Sequence, residues 1–156
     1  MRIINPRYAE MVRRVTNQSP YFRLISMELL EFDIGTSLME IELQEKHLQP
    51  FGAVHGGVFS TIIDAATFWA VYGEIDEQSG MTSVDLKLNY LAPAAPPGKL
   101  IAKGRRIKIG RTLGLGEAEV TDEEGKIVAH GTSTLMVMPG WSISGEEQLP
   151  PKFISS

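Results

Sequence analysis

The chain has 156 residues, 43% hydrophobic and 22% charged, with a formal net charge of −4 and no cysteine. That length suits one domain with a real core rather than two, and the lack of cysteine excludes disulfides and thiolate metal sites. The acidic balance offers no basic field to nucleic acid, no apolar run reaches the roughly 18 residues of a membrane span, and the first residues, MRIINPRYAEMVRRVT, lack the apolar core of an export signal, which favours the cytoplasm.

In chain order, Pro6–Val15 carries apolar residues at Tyr8, Met11, Val12 and Val15, a helical spacing that Asn5 can cap. Leu24–Phe32 and Ser37–Leu43 flank the turn Asp33-Ile34-Gly35-Thr36, and Met39, Ile41 and Leu43 alternate with Glu40 and Glu42, which predicts a hairpin. Residues 57–73 form a helix apolar nearly all round. In Ser83–Tyr90 the apolar positions Val84, Leu86, Leu88 and Tyr90 alternate strictly with polar ones, and Pro93, Pro96, Pro97 and Gly98 then break the chain. Three more strands are expected at Lys99–Ile109, Thr112–Thr121 and Lys126–Met138, with turns at Gly110-Arg111 and Asp122–Gly125. This gives one domain over 1–138, including the N-terminal helix, and a C-terminal extension over 139–156 that lies on the surface or is disordered. An all-round apolar helix must be covered on most of its surface, which a sheet achieves only by curling around it. The expected class is α+β.

Asp64 stands out within that helix. Its only polar company between Gly57 and Tyr72 is Ser60, Thr61 and Thr67, and offsets of four and three put Ser60, Asp64 and Thr67 on one stripe. A single buried acid is often structural, bonded to a backbone group or a basic partner. Gly56 and Gly57 add a second feature, because they open the helix where free N–H groups and the positive dipole end point outward. Glycine lets a ligand approach that backbone closely. Such a terminus holds a phosphate or polarises a carbonyl oxygen. Gly56 and Asp64 are eight residues apart, about 12 Å along one helix. If both serve one reaction, the acid must come from an antiparallel copy of the helix, and a two-fold dimer builds two such composite sites.

The pattern His47-x-Gln49-x-x-Gly52-x-x-His55-Gly56-Gly57, then Asp64, then Ser83-Val84-Asp85, resembles the hotdog-fold acyl-CoA thioesterases of the phenylacetic-acid-degradation type, over roughly residues 20–138. The resemblance implies a curved antiparallel sheet wrapped around the central helix, and a homodimer assembled further as a dimer of dimers. It implies that Asp64 is the general base or nucleophile and that the Gly56 N–H polarises the thioester carbonyl. Gln49 would orient thioester or water, and the Ser83 hydroxyl would assist. Members of the group usually carry Asn where this chain has Gln49, although related thioesterases use Gln; the departure bears on substrate preference. No cofactor is implied, because coenzyme A enters as part of the substrate. Two other readings fit the fold: a non-catalytic acyl-CoA binding or sensing module, and an acyl-thioester dehydratase, whose His-Phe-Pro type loop is absent from HLQPFG.

The remaining chemistry-bearing residues divide simply. His55 is expected to orient the loop at the start of the helix, with proton transfer as its sharper alternative, and His47 is expected to be structural. His47, His55, His130 and Asp64 lack the i, i+4 pairing of common zinc sites, so no metal is expected. Lys103, Arg105, Arg106, Lys108 and Arg111 form a basic run without an acid. Charges of this kind protect a strand edge, yet Arg105, Arg106 and Arg111 are also candidates for the coenzyme A phosphates. Phe51, Val54, Phe59 and Phe68 are candidates for the acyl end.

Overall fold

The computed structural model describes residues 1–143 and 148–155. Its centre is helix α3 (Gly56–Tyr72), in which Phe59, Ile62, Ile63, Ala65, Ala66, Thr67, Trp69, Ala70, Val71 and Tyr72 are all buried. Before it come β1 (Arg2–Ile4), α1 (Pro6–Gln18), α2 (Pro20–Leu24), β2 (Met27–Asp33) and β3 (Thr36–Glu42). After it come β4 (Ser79–Tyr90), β5 (Lys99–Ile109), β6 (Leu113–Thr121), β7 (Ile127–Pro139) and β8 (Phe153–Ser155). Six strands make one antiparallel sheet in the order β2-β3-β5-β6-β7-β4, and its concave face holds α3. This is the hotdog architecture that the resemblance implies.

Small residues bring the helix against the sheet. A Cβ at Gly104 would lie 2.2 Å from the Ala66 carbonyl oxygen, so β5 tolerates no side chain there. Beside it the Ser37 hydroxyl donates to the same oxygen at 2.6 Å. The core around them joins Met27, Leu29, Met39 and Ile41 of the hairpin to Leu100, Ala102, Ala118, Val120 and Leu135 of the long strands.

Three features depart from the expected pattern. Residues 148–155 are not a bare extension: β8 pairs with β1, and Lys152 is fully buried. The pairing joins the two ends of the chain, and neither three-residue strand carries a readable period. The short α2, with Pro20 at its start, falls where the hairpin pattern predicts a strand edge at Leu24. The alternation assigned to Val84 is broken, because a β-bulge lies between Ser83 and Asp85. Met81 is buried before it and the exposed Ser83 shares its face, Leu86, Leu88 and Tyr90 share a face after it, and Val84 is 51% exposed. One extra residue switches the phase of the strand. The expected α1 is present, with the Asn5 side chain accepting from the Arg7 N–H.

Candidate active site

The bulge in β4 aims the first candidate pair. Ser83 lies opposite the buried Leu135 and so faces α3. Its hydroxyl donates to Asp64 Oδ1 at 2.7 Å. Asp85 secures the distortion: its Oδ1 accepts from the Thr134 N–H at 2.9 Å, and the Ser133 hydroxyl donates to its carbonyl at 2.9 Å. The other members of the polar stripe turn back on their own helix. Ser60 donates to the Gly57 carbonyl, and Thr67, fully buried, donates to the carbonyls of Ile63 and Asp64. Thr61 shares a hydrogen bond with Tyr21 of α2 at 2.7 Å. Of the stripe, only Asp64 meets a strand hydroxyl.

The second element is the start of α3. The loop before it is held by the Leu48–Val54 bridge, by the Gln49 N–H donating to Ala53, and by the His55 N–H donating to His47. His47 is buried; its Nδ1 accepts from the Gln44 N–H and its Nε2 meets the Ile25 carbonyl at 2.7 Å. His55 is the N-cap, and its Nδ1 accepts from the Gly57 N–H at 2.8 Å. The Val58 N–H goes to the His55 carbonyl. Cap and carbonyl thus use the second and third N–H groups, and the first, that of Gly56, has no partner among the described residues. A helix start with one free donor is a ready acceptor site for an oxyanion.

Gly56 and Gln49 line one cavity of about 450 Å³ with Val54, Phe59, Tyr90 and Pro93. A Cβ on Gly56 would stand 3.1 Å from the Tyr90 ring, so this position has no spare room. Gln49 Oε1 accepts from the Phe51 N–H, which fixes its amide at the rim. Phe51 itself is 96% exposed, and Phe59 meets Tyr90 with ring centroids 6.1 Å apart. Sequence reasoning misses Tyr90 as a site residue because it arrives across the sheet, which no local spacing encodes.

The sequence candidates therefore fall into separate groups. Asp64 and Ser83 touch; Gln49 and Gly56 share the cavity, some 12 Å of helix away from Asp64. Phe68, one turn beyond Asp64, lines a different apolar pocket with Trp69 and Tyr72. Gly104 faces the helix, so its neighbour Arg105 faces away, where it is paired with Glu117. That Arg105 contact, with a lesser one from His130, holds the Glu117 carboxyl below its usual range. Arg106 pairs with Glu74 at 2.8 Å, beyond the C-terminal end of α3. Arg111 is exposed at the β5–β6 turn and has no ion pair among the described residues.

The sequence profile of the thioesterase superfamily matches residues 51–129, just over half of the chain and the span that holds Gly56, Asp64 and Ser83. The chain belongs to the thioesterase superfamily. It is a thioester hydrolase, and its relatives align over most of their length. Human acyl-coenzyme A thioesterase 13 is 25% identical over 127 residues, covering 80% of this chain and 90% of that protein. A thioesterase family protein of Silicibacter pomeroyi superimposes with a TM-score of 0.78 at 26% identity, covering 85% of this chain and 99% of the other. The E. coli PaaI protein, from the phenylacetic acid degradation operon, superimposes with a TM-score of 0.78 at 15% identity over 86% and 95% of the two chains, a likeness of fold. Among the described residues, no helix is long and apolar enough to cross a membrane.

Proposed function

We propose that this thioesterase hydrolyses acyl-CoA thioesters at composite sites, each built from the start of α3 in one protomer and Asp64 in the other protomer of a homodimer. The observation that carries the reading is the division of labour along α3: a free Gly56 N–H at one point, and the Asp64–Ser83 pair two turns away. Two antiparallel helices related by a two-fold axis bring each donor opposite the other chain's acid. The thioester carbonyl accepts from Gly56 N–H, with the Gln49 amide alongside. The developing negative charge is then met by a fixed donor and the positive end of the helix. Ser83 holds Oδ1, leaving Oδ2 to act on water as general base or on the carbonyl as nucleophile. The coenzyme A thiolate leaves, and the free acid is the other product.

Coenzyme A as the carrier is supported by the human relative's name as an acyl-coenzyme A thioesterase. Arg111 is the least committed of the three candidate cations for the nucleotide phosphates, because Arg105 and Arg106 would first have to leave Glu117 and Glu74. A dimer of dimers and a cytoplasmic site of action complete the reading.

The test is a panel of acyl-CoAs with thiol release and product mass both followed, on the parent and on Asp64→Asn. The parent should release thiol and free acid, and the variant should turn over about 10²-fold or more slowly while still binding substrate. Near-parent turnover by Asp64→Asn would refute the mechanism, and a hydration or dehydration product would refute hydrolysis. Single turnover in ¹⁸O-water tests for direct attack: enzyme oxygen in the first acid released establishes the nucleophilic role, since only a mixed anhydride cleaved at the Asp64 carboxyl carbon can deliver it.

A further inference from the structure

An apolar pocket of about 310 Å³ opens beside Phe68. It belongs to both elements that carry the reactive pair. Phe68 follows Asp64 by one helical turn, and Met81 precedes Ser83 by two residues on the same face of β4. Helix α2 runs along this stripe, with Tyr21 bonded to Thr61 on one side of Asp64 and Phe22 lining the pocket with Phe68 on the other. A thioester whose carbonyl sits at Asp64 therefore has an apolar recess one step further on.

The far wall of this recess is Trp141 and Ile143, which lie outside the span matched by the superfamily profile. The wall is built into the fold. Gly140, at φ 78°, turns the chain, its N–H donating to Gln78 and the Trp141 N–H to Met138. The backbone of Trp141 then lies flat on β4: a Cβ at Gly80 would be 3.0 Å from the Trp141 carbonyl oxygen and from its Cβ.

We propose that this pocket receives the acyl group and that the segment Trp141–Ile143 sets the size it accepts, making Trp141 and Ile143 specificity-determining residues. The proposal rests on the thioesterase reading and adds its substrate class. An apolar cavity of about 150 Å³ is filled by benzene. A recess of about 310 Å³ then takes an acyl group of about one aromatic ring with a few methylenes, or a medium alkyl chain, and not a long fatty acyl chain.

The test uses acetyl-, hexanoyl-, benzoyl- and palmitoyl-CoA with the full chain. The parent should favour hexanoyl and benzoyl over palmitoyl in kcat/KM. Trp141→Ala, a change at a half-exposed side chain, should raise the palmitoyl-to-hexanoyl ratio about tenfold or more, and Ile143→Trp should lower it. A second readout needs no turnover: the protein's two tryptophans, Trp69 and Trp141, both line the pocket. In Asp64→Asn their emission should shift with hexanoyl-CoA and stay unchanged with free CoA. An unchanged chain-length profile in both variants, or emission blind to the acyl group, overturns the pocket assignment while leaving hydrolysis intact. Absent hydrolysis with acyl-dependent emission overturns the hydrolytic reading and upholds the pocket.

Discussion

The two ends of α3 solve the same problem in opposite ways. Every helix leaves N–H groups unpaired at its start and carbonyls unpaired at its end. At the start, His55 and its carbonyl use two donors and leave that of Gly56 open beside a cavity. At the finish, cations from the chain termini plug the acceptors. Lys152 Nζ donates to the Tyr72 carbonyl at 2.6 Å and the Ile75 carbonyl at 2.8 Å, and Arg2 donates to the Glu74 carbonyl at 2.8 Å. Lys152 also lies over the Tyr72 ring and Arg2 over the Phe153 ring, each 3.9 Å from the centroid. Both side chains give N–H donors to carbonyls left unpaired at and beyond the helix end, and the Arg2 guanidinium adds positive charge there. One end leaves a donor open and the other closes its acceptors, so under the proposed mechanism lesions at the two should separate turnover from folding.

The largest expected effect is at the open end. Gly56→Ala keeps the N–H but sets a methyl group against Tyr90, where the carbonyl should approach. A displacement of that order should lower kcat about 10²-fold in an otherwise folded protein; steady-state kinetics beside a melting curve would read both. Lys152→Ala should do the reverse. It removes two donors and a packed stem, so it should cost about 2–4 kcal/mol in chemical denaturation, with turnover of the folded fraction little changed.

A pH scan of stability sharpens the contrast. Burial, the dominant cause, holds the Lys152 ammonium down to about 7, against the ordinary lysine value of 10.5. Between these values the unfolded chain binds more protons than the folded one, so stability rises with pH, by up to about 1.4 kcal/mol per unit. Burial also pushes the Tyr8 and Tyr72 hydroxyls up, so above about 10 they ionise more readily on unfolding and the trend reverses. Lys152→Met should flatten the rising limb. The smallest effect is His55→Ala, where loss of the cap should cost about 1 kcal/mol.

The open end of α3 is more legible in the sequence than the closed one, for physical reasons. A lone acid in an apolar helix and two glycines at its start are local signals, so spacing and residue type alone single out Asp64 and Gly56. The long strands β5, β6 and β7 are legible from alternation and turn residues to within a residue or so of their ends. Ser83 is named through the resemblance, but the bulge that aims it is hidden, because a single extra residue leaves the apolar alternation after it intact. Lys152 carries no such signal. A lysine in a Pro- and Ser-rich tail looks solvated, and what buries it is the end of a helix some eighty residues earlier.

The proposed mechanism joins Gly56 of one protomer to Asp64 of the other in each active site. Inactive Asp64→Asn can be mixed with an inactive, folded variant blocked at Gly56, such as Gly56→Val, under conditions of subunit exchange verified by mass. In a mixed dimer one site has both groups intact and the other has both lesions. Each mixed dimer should then recover about half the parent activity, and random exchange should return about a quarter overall. No recovery despite verified exchange would place both groups in one chain or leave one of them out of catalysis, and would contradict the account.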